Sequence, residues 1–416
     1  MTTFTPTTAD EVLTAVQWAA GEGEPLEIVG QGTKRGIGRP VQTEHVLDLS
    51  GLCGVTLYEP EELVLSARAG TPLAEIEALL DASGQELAFE PMDYGPLLGG
   101  EAGNGTIGGV LAANLAGPRR LKIGAARDHI LGIRAVSGWG EAIKSGGRVV
   151  KNVTGYDLSK AMAGSWGTLA AVTDVTFKVL PKSETETTLA LRGLTEEEAA
   201  AAMAAAMGSS AEVSAAAHLP ETVTGRVLDG ALSGAGSTLL RVEGFGPSVV
   251  YRATMLKDMY RSIAIDELED DRSRTLWREV RDCMPFADGT HRPIWRVSMA
   301  PGEAHRMVMA LRMEAAADAF YDWQGGLVWL RLEGDSEASA VRRLVKQFGG
   351  GHATLVRAGL AERAAVPVFQ PQPPALAALS ARLKEQFDPK GILNPGRMGL
   401  PEASTQAGSI AKEAVS

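Results

Sequence analysis

Cysteine is nearly missing from this chain: 416 residues carry two, Cys53 and Cys283, 230 positions apart. That excludes a disulfide framework, a CxxC zinc pattern and an iron–sulfur cluster held by this chain alone, which would need four thiolates. Histidine is sparse as well. The six, at positions 45, 129, 218, 291, 305 and 352, form no pair at metal-ligand spacing, so no metal site is expected. Positive charge is in deficit: 40 Lys and Arg against 51 Asp and Glu leave a formal net charge of -11. Neutralising a phosphate backbone needs a basic face, so no nucleic-acid partner is expected. No run of 18 or more apolar residues occurs, so no membrane span is expected. The opening Met1-Thr2-Thr3-Phe4-Thr5-Pro6 lacks the basic and apolar regions of a signal peptide. Together with the cysteine usage this predicts a cytoplasmic, reducing location.

Apolar residues make up 45% and charged residues 22%, values of ordinary globular proteins. At about 150 residues per domain the length predicts two or three compact units. Glycine is in excess and unevenly placed: of 48 glycines, 17 fall between Pro91 and Ala170. Something in that stretch needs main chain without side chains.

Thr8 with Glu11 three residues on reads as a capping box, Val12, Leu13 and Val16 as the apolar stripe of a first helix, and Gly21 as its stop. Leu26–Val29 reads as a strand, followed by the loop Gly30-Gln31-Gly32-Thr33-Lys34. Further apolar runs at His45–Leu49 and Leu63–Ala69 precede Thr71-Pro72, an expected N-cap and first helical position. After the glycine-dense centre, Leu169–Leu180 reads as a strand that closes the first unit at Pro181. Beyond it strands (Thr187–Leu191, Thr238–Val242, Ile294–Ser298, Leu327–Leu332) alternate with helices (from Thr195, Ser248–Arg261, Gly302–Ala319, Ser336–Phe348), which suggests a sheet covered on one face. No repeat recurs at periods of 20 to 50 residues. The expected division is 1–181, 182–373, a returning C-terminal segment 374–400 and a disordered tail 401–416.

Three motifs carry chemistry when taken together. In Gly30–Lys34, successive backbone N–H groups can converge on an anion, since glycine permits positive φ and leaves no Cβ in the way; alone, such a loop is as readily a plain turn. In Gly103-Asn104-Gly105-Thr106-Ile107-Gly108-Gly109, the glycines satisfy G-x-G-x-x-G, with Asp128 twenty residues beyond Gly108. A nicotinamide fingerprint is rejected because it requires a hydrophobic strand before the first glycine, and Tyr94–Ala102 cannot form one. The remaining reading is a glycine-rich entry to a small-residue helix, Gly108–Ala116, facing a diphosphate. The third is Lys151-Asn152-Val153-Thr154-Gly155-Tyr156-Asp157-Leu158, followed by Gly167-Thr168-Leu169-Ala170-Ala171-Val172-Thr173.

In this order the motifs resemble the FAD-binding domain of the p-cresol methylhydroxylase/vanillyl-alcohol oxidase superfamily. Asp388-Pro389-Lys390-Gly391-Ile392-Leu393-Asn394-Pro395-Gly396 is similar to the C-terminal signature of its 2-hydroxy acid dehydrogenase branch. Gly117-Pro118-Arg119-Arg120, Gly124–Gly132 and Lys151–Leu158 resemble the FAD-binding E subunits of bacterial glycolate oxidases. The resemblance implies an α+β fold: a two-part FAD-binding domain of the PCMH type, an α/β (ferredoxin-like) cap, and a C-terminal segment returning to the FAD domain. It implies FAD, with Gly30, Gln31, Gly32, Thr33 and Lys34 at the pyrophosphate. Thr106, Ile107, Gly108, Gly109, Asn114 and Gly117 would line the diphosphate and ring region, Gly167, Thr168 and Val172 the adenosine side, and Asn394 would come near the isoalloxazine. It also implies oxidation of glycolate, a 2-hydroxy acid, to glyoxylate within a complex containing a catalytic FAD-linked subunit and an iron–sulfur subunit, and membrane association, if any, through those partners.

Two departures qualify the resemblance. Relatives with covalent flavin carry a histidine in the first loop, which here reads Thr33-Lys34-Arg35-Gly36-Ile37-Gly38, so the FAD is expected to be non-covalent. The H-G-D-G-N-x-H segment of catalytic relatives has no counterpart, and the catalytic residues stay unknown. His291-Arg292 and His352 with Arg357 are the candidates for a base and a carboxylate fork in a self-sufficient 2-hydroxy acid dehydrogenase, and polar residues of the surface or of an interface are the plainer reading of both. A non-catalytic assembly subunit that keeps the fold is the other alternative. Arg119, Arg120, Lys122 and Arg127 read equally as a docking surface, a phosphate contact or a solvated face, and Trp166, Trp277, Trp295, Trp323 and Trp329 as core or interface aromatics.

Overall fold

A computed structural model describes residues 2–147 and 157–399. Lys151–Tyr156 of the third motif, Leu400 and the 401–416 tail lie outside the described residues.

The N-terminal part holds two main sheets, besides the short antiparallel pair of Gln85–Glu86 with Leu180–Pro181. Thr2–Phe4, His45–Asp48 and Leu26–Val29 form a small parallel sheet with His45–Asp48 central. On it packs the helix Ala9–Glu22, which Thr8 and Glu11 begin with the expected capping box. The helix runs past Gly21 and stops at Gly23, whose φ of 74° supplies the left-handed end. Val12, Val16 and Ala19 are fully buried against Leu26, Leu47 and Leu393. The second sheet is antiparallel and five-stranded, in the order Val55–Glu59, Val64–Arg68, Ala170–Lys178, Ile130–Ser137, Ala142–Gly146. Two short helices lie on it: Leu73–Asp81 and Ile107–Ala113. Thr71 does not cap the first of these. Its hydroxyl donates to Arg68 O at 2.7 Å and accepts from Gly54 N at 2.9 Å, fixing the preceding turn, and the helix starts at Leu73.

The rest of the chain builds one antiparallel sheet of eight strands. Its first four, Thr185–Arg192, Ala215–Leu219, Ser237–Gly244 and Ile265–Glu269, with helices Glu196–Met207 and Gly246–Met259, run β-α-β-β-α-β with spatial order fourth, first, third, second. Ile294–Met299, Ala317–Asp322, Leu327–Leu332 and Gly351–Arg357, with helices Ala304–Arg312 and Ala338–Gln347, repeat that plan in mirror order. The cap is thus two ferredoxin-like units joined along their second strands, where His218 pairs with Tyr321. The repeat is longer than the periods that distinguish solenoids. The expected helix Gly302–Ala319 is corrected: it ends at Arg312, and Ala317 onward is a central strand.

All four helices of the two units cover one face of this sheet, burying Leu189, Leu240, Val297 and Leu330 among others. The other face, with Leu239, Phe320 and Trp329, continues into the core of the N-terminal part and is also covered by the helix Asp270–Arg281, which links the units. At that seam Arg119 bonds Glu86, Glu90 and Glu243, while Arg241 bonds Glu90. The helix Pro374–Phe387 then leads back. Leu26 N donates to Ile392 O at 2.7 Å and Asn394 N to Leu26 O at 2.9 Å, so the C-terminal segment lies along the free edge of the strand Leu26–Val29.

Candidate functional site

A solvent-open cleft of about 770 Å³ opens between the two N-terminal sheets. Its first wall is the loop Gly30–Arg35, delivered by the strand Leu26–Val29. The N–H groups of Gln31, Gly32, Thr33 and Lys34 have no protein acceptor among the described residues. Gly32 takes φ 74°, and a Cβ on Gly30 would stand 2.7 Å from Thr106 Oγ1, so only glycine lets the loop approach the second wall this closely.

The second wall is the helix Ile107–Ala113, seen end-on at Gly108 and Gly109 and along Ala112 and Ala113. Its role differs from the expected one. Ile107 N donates to Thr71 O, Gly108 N to Ala69 O, and Gly109 N to the hydroxyl of the N-cap Thr106. These amides are already satisfied, so this wall contributes bare main chain rather than donors. A Cβ on Gly108 would clash with Ala69, and one on Gly109 would stand 3.2 Å from the Lys34 Nζ.

The third wall is Ser165-Trp166-Gly167 with Ala170 and Val172. Trp166 N donates to Ala112 O, and Trp166 and Gly167 both take positive φ, 53° and 71°. The C-terminal segment binds the first and third walls together: Asn394 accepts from Ile28 N at 2.7 Å and donates to Trp166 O at 2.8 Å. A Cβ on Gly167 would reach 2.6 Å from that Asn394 amide. Arg397 then donates to Lys34 O at 2.7 Å, and its guanidinium lies 5.7 Å from the Trp166 ring centre.

Three cations therefore border the cleft, Lys34, Arg35 and Arg397, of which Arg35 is bonded to Glu27. Burial pushes the Lys34 ammonium down to about 8; the more distant Asp93 opposes this and Arg397 adds to it. Although Lys34 as a whole is only half-buried, its Nζ end is enclosed, its one hydrogen bond going to Thr33 Oγ1 at 3.2 Å. Burial likewise lowers Arg397, to about 10. Its carboxylate neighbour, Glu27, is 4.0 Å away and already bonded by Arg35. Open amides, an unpaired ammonium and side-chain-free walls suit a diphosphate, the test a dinucleotide such as FAD must pass here.

Of the sequence-derived candidates, the structure brings Gly30, Gln31, Gly32, Thr33, Lys34, Thr106, Gly108, Gly109, Gly167 and Val172 to this cleft. It places four elsewhere. Ile107 is fully buried in the core. Asn114 ends the helix at φ 49° and accepts from Arg127 N. Gly117 packs against the Glu90 carbonyl, where a Cβ would stand at 2.5 Å. Thr168 turns its hydroxyl to Ser165 O. Asn394 clamps the walls without lining the cleft. Arg397 and Trp166 were missed as site residues: nothing in the sequence distance between 34, 166 and 397 shows that the C-terminus closes on the first loop. Neither His291 nor His352 lines the cleft, and both are exposed. Arg292 is paired with Glu333, and Arg357 donates to the carbonyls of Arg292, Leu97 and Phe286. Among the described residues no group of three His, Cys, Asp or Glu could hold a metal ion, and no helix is long and apolar enough to cross a membrane.

The fold places the chain in a structural class, that of p-cresol methylhydroxylase and its structural relatives. Residues 2–146 match the FAD binding domain family. The fold aligns with 4-ethylphenol oxidase from Gulosibacter chungangensis at a TM-score of 0.71 over 96% of this chain and 89% of that one, with 16% identity. The chain is 34% identical over 390 residues to glycolate oxidase subunit GlcE of Escherichia coli, covering 93% of this chain and 96% of that protein. A partial match, 30% over 185 residues, covers 44% of this chain and 38% of glycolate oxidase subunit GlcD of Bacillus subtilis. The chain belongs to the family of FAD-linked oxidoreductases that contains GlcE, and FAD is its cofactor.

Proposed function

We propose that this chain is an FAD-carrying subunit of a heteromeric complex that oxidises glycolate, a small 2-hydroxy acid, to glyoxylate and delivers the electrons to an iron–sulfur subunit. The observation that carries this reading is the end-to-end similarity to GlcE, 34% identity covering 93% of this chain and 96% of that protein. Cys53 is exposed and Cys283 is buried, too few and too far apart for a cluster, so the one-electron carrier belongs to another chain. The partial match to GlcD supports a second flavoprotein subunit of similar fold. We place the complex in the cytoplasm, with any membrane contact made by its partners.

In this reading the amides of Gln31–Lys34 and the Lys34 ammonium hold the diphosphate of FAD, with Arg397 adding charge and fixing the Lys34 carbonyl. Gly108 and Gly109 keep the helix end bare so that the diphosphate lies against main chain. Gly167 and Val172 form the opposite side, and Asn394 keeps the two sides at a constant separation. When bound, FAD supplies the two-electron acceptor that oxidation of an alcohol requires. Among the described residues no histidine lines the cleft, and we read the cofactor as held without a covalent bond. We read the division between the FAD-binding part and the cap as falling at Pro181.

The test is purification of the tagged chain from its native host. A yellow complex with a second flavoprotein and a cysteine-rich protein, reduced on adding glycolate and releasing FAD on acid precipitation, is expected. Isolation of a colourless single chain that does not take up FAD would overturn the proposal.

A further inference from the structure

A second solvent-open cleft, of about 1420 Å³, lies along the seam and shares no lining residue with the first. The FAD-binding part supplies one wall, through the helix Leu73–Asp81 and the strand Gln85–Glu86. The cap supplies the other, through the helix Asp270–Arg281. Lys182 and Ser183, where the chain passes from one part to the other, also line it.

The two walls carry opposite charge and do not touch. On the cap wall Arg274 and Arg278 stand one helical turn apart and so share a face. Arg274 makes no hydrogen bond among the described residues, its nearest carboxylates being Glu186 at 3.8 Å and Asp270 at 3.9 Å. Arg278 donates to Thr275 Oγ1 at 3.0 Å and has no carboxylate within 4 Å among the described residues. On the opposite wall Glu77 has neither a hydrogen bond nor an ion pair among the described residues, and Asp81, one turn on, holds Lys182 at 2.5 Å. Glu86 gives one oxygen to Arg119, and Glu186 gives one to Ser273 at 2.7 Å, which leaves the second oxygen of each without a hydrogen bond. Burial raises both carboxyls, against the pull of Arg119 on Glu86 and of Arg241 on Glu186. The cations already in place therefore do not compensate them.

An apolar rim adjoins this cleft. Gly244 pairs with Thr185, two residues past Ser183, and a Cβ on Gly246 would stand 3.7 Å from the Glu184 carboxylate. Between those glycines Phe245 is 64% exposed, and on the first turns of the helix Gly246–Met259 Val250 and Tyr251 are 68% and 67% exposed. Single apolar residues at a surface are ordinary, but three this large and this open within seven residues form a patch. Aromatic side chains beside charges that fix register are the make-up of a protein interface.

We propose that this cleft and its apolar rim dock a partner subunit of the complex, through a polypeptide segment that carries charge of both signs. Its lysine or arginine meets Glu77 and Glu86, its carboxylate meets Arg274 and Arg278, and an apolar side chain covers Phe245 and Tyr251. A small ion would satisfy one wall only, whereas a chain segment reaches both walls and the rim. Since one wall belongs to each part of the molecule, the docked segment also ties the cap to the FAD-binding part. The inference rests on the reading of this chain as a subunit of a heteromeric complex, and it assigns the surface by which the chain joins.

The experiment compares the complex purified from the native host with the isolated full chain. Carboxylates are labelled with a carbodiimide and glycine ethyl ester and read by peptide mass spectrometry; Glu77 and Glu86 are expected to label less in the complex. The double variant Arg274→Glu, Arg278→Glu and, separately, Phe245→Asp should each reduce the partner recovered with the tagged chain at least about 10-fold, with FAD content unchanged. Should a variant fail to fold, the labelling of the wild-type proteins decides. Equal labelling in complex and isolated chain, or full recovery of the partner with both variants, overturns the inference. So does shielding that follows self-association of the isolated chain by light scattering, which would give the surface to a second copy. Variants that assemble normally sink this surface and leave the proposed function standing, whereas a wild-type chain that brings no partner from its host sinks the proposed function itself.

Discussion

Lys34 sits in a position that costs the empty protein stability and serves the loaded one. Its ammonium is enclosed with no carboxylate in contact, and burial pushes it from an ordinary 10.5 down to about 8. A lysine lowered in the folded state binds fewer protons there than in the unfolded chain between about 8 and 10.5. The free protein therefore gains stability as pH rises through that window. Cofactor affinity has the opposite sign, because a diphosphate binds the charged form. Affinity is expected to be constant below about pH 7.5 and to fall as pH rises through 8, with proton uptake on binding. Lys34→Met should lower FAD affinity about 10- to 100-fold and flatten that pH dependence. Fluorescence titration across the range checks both, and a Met variant with the same slope would assign the titration elsewhere. The loop itself was legible because glycine, lysine and position after a strand are local signals. Arg397 was not, because its place depends on distant contacts that decide where the C-terminus lands, such as the Asn394 bonds to Ile28 and Trp166.

At the scale of elements, the C-terminal segment acts as a fastener. Asp388 accepts from Ile392 N and Leu393 N, which shapes the turn after the helix Pro374–Phe387, and the next residues line the strand Leu26–Val29. Among the described residues Asn394, 2% exposed and at φ 43°, is the one side chain with hydrogen bonds both to the strand that delivers the first wall and to the third wall of the cleft. Asn394→Ala leaves two buried backbone groups unpaired, at about 1 to 3 kcal/mol each. It should lower stability by about 2 to 4 kcal/mol and speed FAD release, while Asn394→Asp keeps the acceptor for Ile28 N and loses only the bond to Trp166 O. Urea unfolding and stopped-flow FAD displacement measure the two effects; an Ala variant with normal retention would show that the walls hold their spacing unaided. Element boundaries were read well where caps are local, as at Thr8, whose box with Glu11 forms as written, and at Thr195, which caps the helix expected to start there. They were misread where a strand resembles helix: Ala317–Asp322 follows a helical run with no glycine or proline between, and only pairing with Leu327–Leu332 and with His218 makes it a strand. Ile130–Ser137 and Ala142–Gly146 were hidden in the glycine-dense centre for the same reason.

The whole molecule depends on how the cap is held to the FAD-binding part, and that was the least legible level, since paired ferredoxin-like units leave no short-period repeat and the seam joins residues far apart in sequence. Its polar centre is Glu90, which accepts from Arg241 Nη1 at 2.8 Å and from Arg119 N at 2.9 Å, with Glu86 and Glu243 completing the set around Arg119. Burial alone would raise the Glu90 carboxyl; Arg241 and then Arg119 outweigh it and hold it down to about 2, against an ordinary 4.5. A carboxylate lowered in the folded state contributes stability that is present above about 4.5 and lost as pH falls toward 2. The shift corresponds to about 3 kcal/mol. Glu90→Gln leaves two buried guanidinium groups short of a charge, so it should cost about 3 to 5 kcal/mol at neutral pH, read from urea unfolding followed by the emission of Trp277, which lies 4.9 Å from Arg241 at the same seam. The gap between wild type and variant should be constant from about pH 8 to 5 and close as the pH drops below 4.5. A gap that persists unchanged into acid would mean that Glu90 holds the two parts by shape rather than by charge.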